Sequence, residues 1–124
     1  MLADAAAIAF VPSTHLDRSR AFYSAVLGLE LREQTPFACV FRAGGTMLRV
    51  TRVDELRPQP FTVLGWAVPD LRATLADMVA AGVTFHRYEG MPQDEDGVWQ
   101  TPGGDLVAWY PDPDGNTLSL TQFA

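Results

Sequence analysis

The feature that most constrains this chain is that it reads as one pattern written twice. Leu16 to Gly28 parallels Leu71 to Gly82 with one residue of slack, and GGTMLRVTR (44–52) parallels DGNTLSLTQ (114–122) at an offset of 70 residues. In the first half an apolar run, 5–11, stops at Pro12 and reads as a buried strand. A helix follows, with Thr14 and Asp17 spaced as a capping box and Gly28 placed to end it in a left-handed conformation. Strands are expected at 29–33, 37–42 and 47–52, the last two joined at Gly44-Gly45. The second half repeats this order. Phe61–Val68 stops at Pro69, Asp70 caps a helix carrying Leu71, Leu75, Met78 and Val79, and Gly82 ends it. Strands are then expected at 83–87, 106–110 and 117–122. Asp112-Pro113-Asp114-Gly115 has the residue choice of a type I turn joining the last two.

A repeated unit of this kind is more specific than any single motif in the chain. One helix can cover only one face of its sheet, so the other faces must bury something else. Two such sheets placed edge to edge would curve into a cup, and the uncovered faces become a candidate pocket. The expected fold class is α+β, with two βαβββ repeats forming a curved mixed sheet and one helix covering each half. At 124 residues a single domain is expected. Repeat one spans about 5–52, a polar connector 53–60, and repeat two about 61–123.

Composition narrows the function classes. Apolar residues make up 48% and charged residues 19% of the chain, as in globular proteins rather than disordered ones. A net charge of −6 argues against a nucleic-acid partner, which needs a basic face. All nine basic residues are Arg, which together with heavy Ala, Gly and Pro usage suggests a GC-rich bacterial genome. Cys39 is the one cysteine, so neither a disulfide nor a cysteine-based zinc cluster can form within the chain. The apolar N-terminus lacks a basic leader and is too short to span a bilayer. A cytoplasmic protein with no membrane partner is expected.

Two segments carry a resemblance over nearly the whole chain. HLDRSRAFYSAVLGLEL and WYPDPDGNTLSL resemble the motifs of the vicinal-oxygen-chelate superfamily, the glyoxalase/bleomycin-resistance/dioxygenase fold. His15 stands where that family usually has Asp, at a helix cap. The resemblance implies a homodimer. It also implies that active metal-dependent members carry His, Glu or Gln ligands on the first and last strand of each unit. Here those positions are Ile8, Arg49, Val63 and Ser119. Two aliphatics, a guanidinium and a hydroxyl are a poor donor set for a divalent metal, and a register slip of one residue does not improve it. No metal and no cofactor are therefore expected.

Strand alternation puts Leu118 and Leu120 under a helix. Thr117, Ser119 and Thr121 then face the cup, beside Met47, Arg49 and Thr51. The first strand offers Ile8 and Phe10, and the fifth Val63 and Gly65. Such a lining suits a mostly apolar ligand with one or two polar groups. Arg49 could pair with a ligand carboxylate, phosphate or enolate, or with an internal acid. His86 and His15 could act as general bases, or be structural. Cys39 alternates with Phe37 and Phe41 and reads as a small buried hydrophobe. Trp99, Trp109 and Tyr110 could stack on a planar ligand, but only one of the adjacent Trp109 and Tyr110 can face the cup. The acidic loop Asp94, Glu95, Asp96 reads as a solvated loop able to act as a lid. Turn geometry accounts for Asp112 and Asp114 without a metal.

Two kinds of function fit. The leading expectation is a metal-independent small-molecule binder of the sequestering or resistance type. The alternative is a lyase, isomerase or dioxygenase-like enzyme using Arg49 with a nearby proton carrier such as His86, or a metal site not visible in the sequence.

Overall fold

Proline has no amide hydrogen, so a strand containing it belongs where one side needs no ladder partner. The strand carrying Pro12 is such an edge. In the computed structural model, which describes all of residues 1–124, β1 (Ile8–Ser13) pairs only with β4 (Thr46–Arg52), in parallel. Next to β4 lie β3 (Ala38–Ala43) and then β2 (Glu30–Gln34), both antiparallel. The second sheet repeats this order with β5 (Thr62–Ala67), β8 (Thr117–Gln122), β7 (Leu106–Pro111) and β6 (Trp99–Gln100). Two units result, Met1–Arg57 and Pro58–Ala124, dividing inside the connector read at 53–60. Each has one four-stranded mixed sheet and neither closes into a barrel.

In the first unit the helix begins one residue later than its capping pattern suggests. α1 (Leu16–Ala21) has His15 as its N-cap, and no side chain caps it. Asp17 therefore falls too early in the first turn to complete a box with Thr14, and its carboxylate accepts from Gln34 Nε2 at 3.2 Å. Ser13 takes over locally. Its hydroxyl accepts from the His15 amide at 3.2 Å and shares a 2.6 Å bond with the buried Ser19 hydroxyl. The helix then widens into a π turn at Phe22–Val26, with the Leu27 amide reaching the Phe22 carbonyl at 3.0 Å. Gly28 ends it at φ 75°. Tyr23, packed 5.8 Å from Phe41, lies with Val11, Cys39, Leu48 and Val50 in a core with no solvent access.

In the second unit Asp70 caps α2 (Leu71–Ala80) as its sequence suggests, accepting from the Ala73 amide at 3.1 Å. Leu71, Leu75 and Met78 are buried, with Ala108, Tyr110, Leu118 and Leu120 of the sheet; Val79 stays exposed. The strand expected at 83–87 does not form a ladder. The segment makes one backbone bond to the sheet, from the His86 amide to the Trp109 carbonyl at 2.8 Å. A side chain serves as its other partner. Gln93 donates to the His86 carbonyl at 3.0 Å and accepts from the Tyr88 amide at 2.6 Å. His86 thus lies on an extended connection rather than on a named strand.

The Asp112–Gly115 turn forms as read, with the Gly115 amide on the Asp112 carbonyl at 3.0 Å. One carboxylate organises it. Asp112 accepts from the amides of Asp114 and Asn116 and from Asn116 Nδ2, each at 2.9 Å. Asp112 and Asn116 are buried, so these acceptors replace water for donors that cannot reach it. Asp112→Ala should lower stability by about 3 kcal/mol in urea unfolding, the loss of charge-assisted bonds that leaves buried donors unpaired.

Neighbouring Tyr110 is almost fully buried, 5.4 Å from Phe85. Burial pushes its phenol well above the ordinary 10.0, and the Asp112 charge adds to the shift. A phenol that stays protonated in the folded state while ionising in the unfolded one stabilises fully below pH 10 and progressively less above it. Tyr110→Phe should therefore flatten the fall in stability that wild type shows as pH rises past 10, measured by denaturant midpoints along an alkaline series.

Candidate functional site

Each sheet has one face against its helix and one without a helix over it. In the first unit, register and alternation put Ile8 and Phe10 of β1, Met47 and Arg49 of β4, and Val40 and Arg42 of β3 on the same uncovered face. Ile8 is 48%, Phe10 60% and Met47 44% exposed, whereas Val11, Leu48 and Val50 on the opposite face have no exposure. Arg49 lies directly between Phe10 and Val40 in the ladder. Its guanidinium touches the Met47 sulfur at 4.0 Å, and no internal acid pairs with it. A groove of about 760 Å³ opens along the β2–β4 part of this unit, lined among others by Arg32, Val40, Arg42 and Met47.

The second unit has a different uncovered face. Thr117, Ser119 and Thr121 of β8 line it, as the alternation requires, while Leu118 and Leu120 are buried with the helix. Two of these hydroxyls are themselves buried. Thr117 donates to the Gln59 carbonyl at 3.2 Å. Ser119 is 6% exposed and its hydroxyl has no partner within the chain. Its in-register neighbours are Gly65 on one side and Trp109 on the other. A Cβ on Gly65 would come within 2.7 Å of the Ser119 hydroxyl, so the glycine makes room for it. Val63, matched to Ile8 by counting from the helices, falls in a β-bulge between Thr62 and Leu64. Thr62 takes the ladder position beside Thr117 instead.

An aromatic group lies along this second face. Trp109 stacks on Trp99 at 6.2 Å and meets Tyr88 edge-on at 5.5 Å, and Tyr88 lies 5.9 Å from His86. Trp109 and Tyr110 point to opposite faces, as adjacent strand residues must. Tyr88 was missed in the sequence; its spacing of two from His86 was the available signal. Burial raises the Tyr88 phenol pKa, and the Thr117 side chain offsets part of that.

Other candidates resolve as structural. Burial raises the Cys39 thiol pKa, with Arg20 offsetting part and Asp17 adding to it; such a thiol is a poor nucleophile. His15 is an exposed helix cap. The acidic loop is tied down, with Asp94 accepting from Arg72 at 2.8 Å and from the amides of Asp96 and Val98 at 2.9 and 3.0 Å.

No three His, Cys, Asp or Glu side chains gather where they could hold a metal ion. The positions where relatives would carry ligands hold Ile8 and Arg49 in one unit and Val63 and Ser119 in the other. These side chains do not fit a divalent cation, which needs carboxylate, imidazole or thiolate donors.

The model of the Glyoxalase/Bleomycin resistance protein/Dioxygenase superfamily matches residues 6–120, and the chain belongs to that superfamily. Among solved structures it resembles a glyoxalase family protein from Enterococcus faecalis, with 16% identity, TM-score 0.76, and 98% of this chain and 99% of that one covered. A superfamily member from Sphaerobacter thermophilus is 20% identical, with TM-score 0.74 and 98% and 99% covered. A lactoylglutathione lyase from Agrobacterium tumefaciens is 17% identical, with TM-score 0.73 and 95% and 93% covered. At these identities the likeness is one of fold. No curated protein matches the chain.

Gly65 and Ser119 form a pair that a double-mutant cycle can measure. Gly65→Ala should cost about 1–2 kcal/mol, as overpacking does. The cost should fall markedly in a Ser119→Ala background, where the hydroxyl that the new methyl meets is gone.

Proposed function

We propose that this chain is a metal-independent binder of a small, mostly apolar molecule, acting by sequestration, and that the uncovered sheet face of each unit, taken by itself, offers a surface for the ligand. The observation that carries the proposal is the exposure of Ile8, Phe10 and Met47 side by side on a sheet whose other face buries Val11, Leu48 and Val50 completely. Apolar side chains kept in water on a rigid ladder favour any apolar partner that removes them from it. In the second unit Thr121 and the half-buried aromatic group supply a surface with one hydroxyl, of the kind that orients a ligand. The superfamily includes members described as lyases and as resistance proteins, and the donor set found here favours binding over metal chemistry.

The alternative, an enzyme working through a proton carrier, depends on His86. Its ring packs near Tyr88 but hydrogen-bonds to no carboxylate, so nothing fixes a tautomer for general-base work. This favours the binder.

The test uses N-phenyl-1-naphthylamine, a neutral apolar fluorophore, on the intact protein. Wild type should bind it saturably and gain thermal stability in its presence. Phe10→Ser, a change at an exposed position, should weaken binding about tenfold, the loss expected when an apolar contact of this size is removed. Chelator or added Zn²⁺, Ni²⁺ or Mn²⁺ should change nothing. A stoichiometric metal site, or probe binding that needs a metal, would overturn the proposal.

A further inference from the structure

We infer that the ligand of the first unit's open face is an anion with an apolar body, and that Arg42 and Arg49 together receive its charge; this rests on the binding function proposed above. Acids outnumber bases 15 to 9 in this chain, so two guanidiniums set close together with no ion pair call for a reason. Two lie on one face. Arg42 is in direct register with Met47, and Arg49 is two residues further along β4, opposite Val40. Such diagonal neighbours on adjacent strands are within reach of long side chains. The Arg49 guanidinium extends back onto the Met47 sulfur, toward the residue beside Arg42.

Neither arginine forms an ion pair. Arg42 donates through Nε to the Gly44 carbonyl at 3.2 Å, which holds the side chain and leaves its terminal nitrogens free. Arg49 has only the sulfur contact. The nearby acids do not neutralise them. Glu30, the in-register neighbour of Arg42 on β2, bonds to Arg32 at 3.2 Å; Glu33, beside Val40 in the ladder and exposed at the edge of the same groove, lies beyond ion-pair distance of both arginines. Two like charges set close on a sheet destabilise it, and an anion placed between them would relieve that cost.

Geometry also defines the rest of the ligand. The groove beside Arg42 measures about 760 Å³ and includes Val40 and Met47 in its lining, a volume suited to a small organic molecule. Exposed Phe10 is the ladder neighbour of Arg49 on its other side. A guanidinium presents a planar fork that takes carboxylate, sulfonate or phosphate oxygens two at a time. Exposed apolar side chains with two guanidiniums among them on one sheet face therefore select an amphipathic acid over a neutral molecule of the same shape.

Two fluorophores with the same anilinonaphthalene body separate this inference from the one beneath it. 8-Anilinonaphthalene-1-sulfonate carries the anion and N-phenyl-1-naphthylamine does not. Wild type should bind the sulfonate more tightly. Arg42→Gln and Arg49→Gln should each weaken sulfonate binding about tenfold while moving the neutral probe less than twofold. Arg87→Gln removes the same charge from the second unit, where that side chain donates to the Glu95 carbonyl, and should leave both affinities unchanged. Melting curves of each variant confirm that it remains folded. Equal loss in all three variants would reduce the effect to net charge and overturn the inference, as would a sulfonate affinity indifferent to Arg42 and Arg49. Binding of the neutral probe without preference for the sulfonate overturns the anion inference alone. Failure of wild type to bind either probe overturns the binding function with it.

Discussion

One helix cannot cover both faces of a four-stranded sheet, and which side chains this protein leaves exposed follows from that shortfall. In each unit the helix buries one set of alternating side chains, such as Val11, Leu48 and Val50 or Leu118 and Leu120. The other set is left to be used or protected by other means. The two units answer differently. The first leaves Ile8, Phe10 and Met47 in water with two unpaired arginines among them. The second lays Trp99, Trp109, Tyr88 and His86 along its face and buries the hydroxyls of Thr117 and Ser119.

The parallel pairing of the first and last strand of each unit makes these differences readable residue by residue. Arg49 and Ser119 hold matching places, next to Phe10 and Val40 in one ladder and next to Gly65 and Trp109 in the other. Repetition of the backbone therefore did not require repetition of the chemistry. A large apolar residue beside a cation in one unit corresponds to a glycine beside a small hydroxyl in the other. The Gly65 and Ser119 pair is steric, since the hydroxyl occupies the space a Cβ would need. Neither position offers a metal a carboxylate, imidazole or thiolate donor.

Much of the fold was legible because its signals are local. The stop at Pro12, the glycine ends at Gly28 and Gly82, the Asp70 cap and the Asp112–Gly115 turn each act over a few residues. The departures arise where a distant or side-chain partner replaced a local one. Ser13 and Ser19, six residues apart, moved the start of α1 past Thr14. Gln93 replaced a neighbouring strand for His86 and Tyr88, so a β-like sequence at 83–87 stayed outside the ladder. The bulge at Val63 broke the simple count from the helices.

The sequence by itself determined the repeat, the alternation and the chemical poverty of the ligand positions, because these depend only on residue type and spacing along one strand. It placed Arg49 on the open face, and it established that only one of Trp109 and Tyr110 could share Ser119's face. Tertiary structure decided what depends on neighbours across the ladder. It set Phe10 beside Arg49 and Gly65 beside Ser119, and left Arg42 and Arg49 without an ion pair. Pairing between strands far apart in sequence carries no local signature, so whether a charge is neutralised or left free is settled only when the strands meet.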